Sequence, residues 1–150
     1  MKIQEYITKE EVQRVCRELG LQDWSVLKEP SIPTKEARAV LSALDVPTMK
    51  IAPSVFKAGL EVELEHGTRY PEANVTNNHP LITGRIVVAH LKESMDYYRR
   101  LAVAEAEGDL FSAILAGDVK RAVRKLRVLS AARAEVAQAE QTQIANIPQQ

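Results

Sequence analysis

The sequence predicts an all-α protein, a compact multi-helix bundle that ends in a long C-terminal amphipathic helix. Apolar residues recur at alternating three- and four-residue spacing along most of the chain, which is the period of an amphipathic helix. Several of these segments begin at a capping residue or a proline and end at a glycine. With 150 residues, of which 45% are hydrophobic, the chain is long enough to bury a core.

The first two helices are predicted from their end signals. Thr8 and Glu11 form a capping-box pattern, and Gly20 is a typical left-handed stop, so a helix is expected over Lys9–Leu19. After a linker that contains two prolines, the apolar spacing predicts a second helix over Thr34–Leu44.

The middle of the chain predicts two helices joined by a long loop. The third helix is expected to begin at Pro53 and to end at His66, with Gly67 as its stop. The loop 68–79 is rich in asparagine, and we expect those side chains to order it. Pro80 suits the first turn of a fourth helix.

The C-terminal part is predicted to be an extension of the core. A fifth helix is expected from Ser94 to Gly108, followed by a short helix over Leu110–Ala116. Asp118 then begins the long amphipathic helix. The boundary is placed at Gly108, which gives a helical core over 1–107 and a helical extension over 108–150.

Charge and cysteine content exclude several classes of protein. Twenty basic and twenty acidic side chains leave no excess charge to attract nucleic acid or an anionic membrane. The one cysteine, Cys16, lies in an apolar stripe and is expected to be a small buried hydrophobe. No segment has the length and apolar character of a signal peptide or a membrane span. We therefore expect a cytoplasmic protein, or one packaged in a virion assembled in the cytoplasm, that is not secreted.

Two pairs of ligand-type residues suggest a metal site. Glu63 with His66, and His90 with Glu93, each stand three residues apart and so share one helical face. Carboxylate and imidazole pairs on facing helices hold iron, manganese or zinc in carboxylate-bridged bundles. Further acidic ligands would have to come from Glu61, Glu65 or Asp96.

The same residues have a structural interpretation. His66 would help to end the third helix, and His90 would be a core histidine with its hydrogen bonds satisfied. If the two helices formed a simple antiparallel hairpin, the two imidazoles would lie about 15 Å apart. They can share a site only if the fourth helix returns roughly parallel to the third or crosses it steeply.

Catalytic templates are missing from the sequence. It has no glycine-rich phosphate loop, no Cys-x-x-Cys pair and no nucleophile elbow. Whether the protein is an enzyme stays uncertain on this ground, and a non-enzymatic function is favoured.

The long C-terminal helix carries the predicted partner contacts. The segment 118–133 has six basic residues against one acid. They could meet a phosphate backbone or an acidic protein surface, or they could simply be a solvated face, and without aromatic residues among them base stacking is not expected. The predicted contacts are the apolar stripe Val119, Ala122, Leu126, Leu129 and Val136 and the basic ridge Lys120, Arg124 and Arg127.

Five blocks in the middle of the sequence stand out: GLEVELEHGT (59–68), NVTNNHP (74–80), TGRI (83–86), AHLKE (89–93) and DYYRRL (96–101). In their order and spacing these blocks resemble an uncharacterised domain family of bacteria and phages. The similarity extends over roughly 7–107, and it implies no activity, because none is assigned to the family. This chain has Asn78 and His79 where the family usually has two acids, and Arg85 where it usually has lysine. Without those two acids, the loop is less suited to bind a hard cation.

Two functional hypotheses follow. The first is a structural or interaction protein, a component of a larger assembly such as a phage particle, where it would be capsid-associated or a minor virion protein. Its partner would be another protein or a second copy of the chain. The second is a small metal-binding helical protein that uses Glu63, His66, His90 and Glu93.

Overall fold

A computed structural model describes residues 6–147 and confirms the all-α fold, with six helices and no strand among the described residues. None of these helices has the length and apolar character needed to cross a membrane. Two short 3-10 turns, Trp24–Val26 and Pro71–Ala73, lie in the connections. The helices are α1 (Lys9–Leu19), α2 (Thr34–Leu44), α3 (Pro53–Arg69), α4 (Pro80–Glu93), α5 (Tyr97–Leu115) and α6 (Val119–Ala145).

The chain divides into two compact units after Lys92. The first contains α1 to α4, and the second contains α5 and α6. The predicted division into 1–107 and 108–150 rests on a different criterion, the extent of the sequence resemblance, and stays a prediction.

The predicted bounds of α1 and α2 are confirmed. Thr8 Oγ1 accepts the backbone N–H of Glu11 at 3.3 Å, and Gly20 adopts the left-handed conformation at the other end of α1. The Glu11 carboxylate binds Arg14 and does not complete the capping box. Cys16 is buried on the apolar face of α1, as predicted, and burial raises the pKa of its thiol.

Trp24 links several segments of the first unit through hydrogen bonds. Its side chain is fully buried, and its indole Nε1 donates to the carboxylate of Glu36 at 2.8 Å. The same carboxylate accepts the backbone N–H of Gln22. The backbone carbonyl of Trp24 in turn accepts from Nδ2 of Asn78. A buried carboxylate is tolerated here because its oxygens are hydrogen-bonded.

The predicted end of α3 at His66 is wrong, because the helix continues through Gly67 to Arg69. Gly67 makes room for other side chains and does not end the helix. A Cβ at this position would lie 1.9 Å from Oδ1 of Asn78 and 2.6 Å from Nδ2 of Asn74. The missing side chain therefore lets the loop after α3 fold back onto the helix.

A second close approach fixes α4. Gly84 is buried, and a Cβ there would lie 2.8 Å from Cδ1 of Leu44 and 3.2 Å from Cζ of Phe56. These contacts place the middle of α4 against both α2 and α3. The predicted start of α4 at Pro80 is confirmed, and the loop before it is held by its asparagines, including a bond from Asn77 to the carbonyl of Ile7.

The second unit is a helical hairpin. The predicted break at Gly108 and the separate short helix over Leu110–Ala116 are wrong, because α5 runs unbroken through both. A glycine inside a helix costs only about 1 kcal/mol, which the packing of α5 along α6 outweighs. The turn is where the sequence placed it, with Gly117 left-handed and Asp118 capping α6. The predicted start of α5 at Ser94 is wrong, because the helix begins after Asp96, whose side chain makes no capping hydrogen bond and instead accepts from the hydroxyl of Ser94.

The hairpin is joined by small buried residues and by ion pairs. Ala106 and Ala113 of α5 and Leu129 of α6 are buried. The ion pairs between the two helices are Arg100–Glu140, Lys125–Asp109, Arg121–Asp109 and Arg133–Glu107. Asp109 and Glu107 of α5 thus pair with bases of α6 nearer the turn, and the Arg100–Glu140 pair has the opposite sense further from it.

Two glycine substitutions should change stability in opposite directions. Gly67→Ala should lower the free energy of unfolding by about 1–3 kcal/mol, because overpacking outweighs the better helix propensity of alanine. Gly108→Ala should raise it by about 0.5–1 kcal/mol, because a Cβ there meets nothing within 4 Å. Urea unfolding of both variants measures the two effects. A gain in stability for Gly67→Ala would contradict the close packing.

Candidate functional site

Glu63 lies between two histidines. Its Oε2 is 3.7 Å from Nδ1 of His66, one turn along α3, and its Oε1 is 3.7 Å from Nε2 of His90 on α4. The Glu63 side chain is only 11% exposed. A largely buried carboxylate with a half-buried imidazole on one side and an exposed imidazole on the other forms a polar cluster at the surface of the first unit.

The course of the loop brings the two histidines to one carboxylate. Both imidazoles lie 3.7 Å from an oxygen of the Glu63 carboxylate, so they are closer together than the 15 Å expected for a simple antiparallel hairpin. His66 does not end α3, since the helix continues for three more residues, and its side chain is 66% exposed. His90 is half-buried, with Nδ1 inside the unit.

Two of the additional acids are engaged by other partners. Glu61 accepts from Nζ of Lys57 at 2.6 Å and from the backbone N–H of Ile32 at 3.0 Å. Glu65 pairs with Arg69 at 2.7 Å. Both carboxylates therefore stabilise α3 and its surroundings in this arrangement.

The remaining predicted ligands, Glu93 and Asp96, stand at helix ends. Glu93 is exposed at the last residue of α4. Asp96 pairs with Arg100 at 2.8 Å, and that guanidinium lowers the pKa of the carboxyl. Across residues 6–147, no group of three or more histidine, cysteine, aspartate or glutamate side chains is arranged so that it could hold a metal ion. The metal site stays a prediction.

A small pocket opens beside Glu63. Its volume is about 160 Å³, and its polar side chains come from α3, from the loop before α4 and from α4. These residues belong to the sequence blocks 59–68, 74–80 and 83–86. The blocks thus converge on one place, which their order along the chain did not show. The polar lining residues are Glu63, His66, Asn74, Thr76 and Thr83.

His79 is a structural histidine that the sequence analysis did not single out. It is buried, and its Nδ1 accepts the backbone N–H of Ile82 at 3.3 Å in the first turn of α4. Its Nε2 lies 3.9 Å from Oε1 of Glu11. Burial lowers the pKa of His79 and outweighs the opposing effect of Glu11. Its position directly before Pro80 was the available signal, because that is a capping position.

The predicted apolar stripe of α6 divides between two surroundings. Leu129 is buried, and Ala122 and Val136 are half-buried, as expected for residues turned toward α5. Val119 and Leu126 are exposed. Val119 and Leu126 are therefore the most accessible of the five, and the half-buried Ala122 and Val136 still line grooves between the two helices.

An apolar groove runs between the two helices near the tip of the hairpin. Its volume is about 400 Å³. Val123 and the contribution of α5 were missed by the sequence analysis, because they depend on which faces the two helices turn to each other. The groove is lined by Leu110, Ala113, Ile114, Val119, Ala122, Val123 and Leu126, with Gly117 and Asp118 at its end.

The basic residues beside the groove fall into two groups. Arg121 and Lys125 bind Asp109, and Arg133 binds Glu107, within the hairpin. The predicted basic ridge is different: it is exposed, and none of its members forms an ion pair with another residue of the described chain. That ridge is Lys120, Arg124 and Arg127.

Comparison with known proteins assigns the family. A family model described as "Protein of unknown function (DUF5661)" matches residues 12–107. The match spans well over half of the chain, so the chain belongs to this family. No curated protein and no solved structure matches it.

The buried His79 should make stability depend on pH. Its pKa in the folded protein is lower than the ordinary value of 6.5, so the unfolded chain binds more protons below that pH. The contribution of His79 to the free energy of unfolding is therefore complete above about pH 7. It is lost as the pH falls through 6.5 toward the folded pKa, by at most about 1.4 kcal/mol per pH unit. His79→Gln should remove this slope. Urea unfolding between pH 5 and 8 measures it, and equal slopes in both proteins would contradict the assignment.

Proposed function

We propose that this protein is an interaction protein, a component of a larger assembly such as a phage particle. Its docking surface is the groove at the tip of the α5–α6 hairpin. The observation that carries the proposal is the open apolar surface of that groove. The first unit has its own buried core around Trp24.

Exposed large apolar side chains are concentrated on the hairpin. A protein in water rarely exposes a contiguous apolar patch unless a partner or ligand covers it, and covering one such side chain contributes about 1.5–3 kcal/mol. Within the segment 111–128 these side chains are between 46% and 73% exposed. They are Phe111, Ile114, Leu115, Val119, Val123, Leu126 and Val128.

The surroundings of the groove also favour a protein partner. Its lining is almost entirely apolar and comes from two adjacent helices, which suits the apolar face of an amphipathic helix. The basic ridge stands beside it and would meet acidic side chains at the rim. Since no aromatic side chain stands among these basic residues, nothing there favours the stacking of nucleic-acid bases.

Two valine substitutions on α6 test the docking surface. Val123 lines the groove and is 46% exposed, whereas Val128 is 53% exposed and lies outside it. In lysates of cells that produce the protein's natural assembly, wild type and Val128→Glu should sediment with a high-mass particle. Val123→Glu should lose at least tenfold of that association, because a carboxylate would replace a buried apolar contact.

The control for this experiment is to show that neither substitution changes the fold. Both valines are exposed, so both variants should keep the helical content and unfolding midpoint of the wild type. A wild-type protein that never enters the high-mass fraction would contradict the role in an assembly. An equal loss for both variants would place the docking surface outside the groove.

A second candidate function is metal binding by the cluster of Glu63, His66 and His90. The specific observation in its favour is the carboxylate placed between two imidazoles at 3.7 Å from each. Oxygen and nitrogen donors of this kind suit iron, manganese or zinc. Since the exposed His66 ring can turn, closing the cluster around an ion requires side-chain movement within α3 and α4.

Metal content is the direct test of this candidate. Protein purified without chelator should contain about one metal ion per chain, and His90→Ala should lose that metal together with any metal-dependent rise in unfolding temperature. Glu65→Gln is the matched control, because Glu65 stands beside the cluster but pairs with Arg69. Metal-free wild type that is not stabilised by added zinc, manganese or iron would remove this candidate.

A further inference from the structure

We infer that the pocket beside Glu63 binds a primary ammonium group on a short alkyl chain. This pocket lies wholly within the first unit, so binding there is independent of the groove that the proposed function uses. Three features of the pocket support this ligand: a buried hydroxyl that has no protein partner, a largely buried carboxylate beside it, and a small volume with apolar walls.

The hydroxyl of Thr83 lies at the pocket without a hydrogen-bond partner. Thr83 lines the pocket and is otherwise enclosed, with only 2% of the residue exposed. Within residues 6–147 its hydroxyl makes no hydrogen bond, whereas the hydroxyl of Thr68 bonds to two carbonyls of its own helix. A buried hydroxyl costs free energy unless a hydrogen bond compensates for it. A molecule in the pocket can supply that bond.

Glu63 supplies a negative charge at the same place. Its side chain is 11% exposed, and its contacts with His66 and His90, at 3.7 Å each, are longer than hydrogen bonds. A carboxylate has about four acceptor sites. Glu63 therefore retains the capacity to accept hydrogen bonds from a molecule in the pocket.

The polar groups of the lining favour a cationic donor. Among the described residues that line the pocket, none is a lysine or an arginine. An ammonium group has three N–H donors and no acceptor, so it can donate to the Glu63 carboxylate and to the oxygens of Thr83 and Asn74. Hydrogen bonds between a charged donor and a charged acceptor are stronger than neutral ones. The pocket therefore suits a primary ammonium better than an alcohol or an anion.

The size of the pocket limits the ligand to a short chain. Its volume of about 160 Å³ is the share of about five water molecules in the liquid. The apolar side chains of Ala73, Val75 and Ile86 also line it and suit the methylene groups of an alkyl chain. A chain of about four carbons that ends in an ammonium group fits this space. A free alkylamine and the lysine side chain of another protein both have this chemistry.

Titration of the intact ¹⁵N-labelled chain with n-butylamine tests the pocket. At pH 7 the amine is protonated, and after chelator treatment no metal competes for Glu63. Butylammonium should shift the amide resonances of Gly67, Asn74 and Thr83 until they saturate. 1-Butanol has nearly the same shape without the charge and should bind more weakly by about tenfold or more. Tetramethylammonium has the charge without N–H donors and should not shift these resonances.

Two substitutions with matched controls locate the binding. Glu63→Gln should weaken butylammonium binding by about tenfold or more, whereas Glu65→Gln should not, because Glu65 pairs with Arg69 and does not line the pocket. Thr83→Val should weaken binding by about threefold or more and leave the unfolding midpoint unchanged or higher, because the lost hydroxyl has no protein partner. Thr68→Val should leave the affinity unchanged. Opposite effects on affinity and stability at Thr83 distinguish a ligand-binding hydroxyl from a structural one.

Several results would overturn the ammonium site. If butylammonium gives no saturable shift, the pocket holds only water. Equal affinities for butylammonium and 1-butanol would contradict recognition of the charge. Binding that neither Glu63→Gln nor Thr83→Val weakens would place the amine elsewhere on the protein. If Glu63→Gln does not fold, the affinity and unfolding midpoint of Thr83→Val decide the matter.

A second probe distinguishes the two sources of the ammonium group. Nα-acetyl-lysine N-methylamide has the same alkylammonium chain attached to a piece of backbone. Binding as tight as that of butylammonium would assign the pocket to a lysine of another protein, and clearly weaker binding would assign it to a free amine. Val123→Glu, which tests the proposed function, should leave both affinities unchanged, so the pocket and the docking surface can fail separately.

Discussion

The close approach at Gly67 is the constraint on which the first unit depends. Because α3 has no side chain there, Asn74 and Asn78 can lie against the helix, and Asn78 reaches the carbonyl of the buried Trp24. The loop is thereby folded back before α4 begins. The folded-back loop and the contact at Gly84 together set where α4 passes α3. His90 therefore lies close to Glu63.

The helix ends that depend on local chemistry could be predicted from the sequence. The Thr8 cap, the Gly20 stop and the Asp118 cap satisfy backbone groups within a few residues of themselves, so a short window contains the relevant information. Gly67 and Gly108 were misread as helix ends because the same residue type has two uses. Whether a helix ends at a glycine or continues past it is decided by packing partners that are distant in sequence.

Each candidate site also has a part that the sequence predicted and a part that only the structure showed. The three-residue spacing of Glu63 and His66 shows that both stand on one helical face, but the approach of His90 depends on a loop that spacing does not describe. On α6 the sequence showed an apolar stripe without showing which part of it α5 covers. The groove became visible only when Leu110, Ala113 and Ile114 of α5 were placed beside it. His79 was missed because its role is to accept a backbone N–H at a helix start.

The two units thus present different chemistry: a polar cluster and pocket in the first, and an apolar groove with an exposed basic ridge beside it on the second. The central claim is that the groove is covered by a protein partner in a larger assembly. Hydrogen exchange of the isolated chain and of the same chain in the high-mass particle tests it most directly. The account predicts that amides of 110–126 are more protected in the particle, while those of α1 to α3 are equally protected in both states. Equal protection of 110–126 in both states would contradict it.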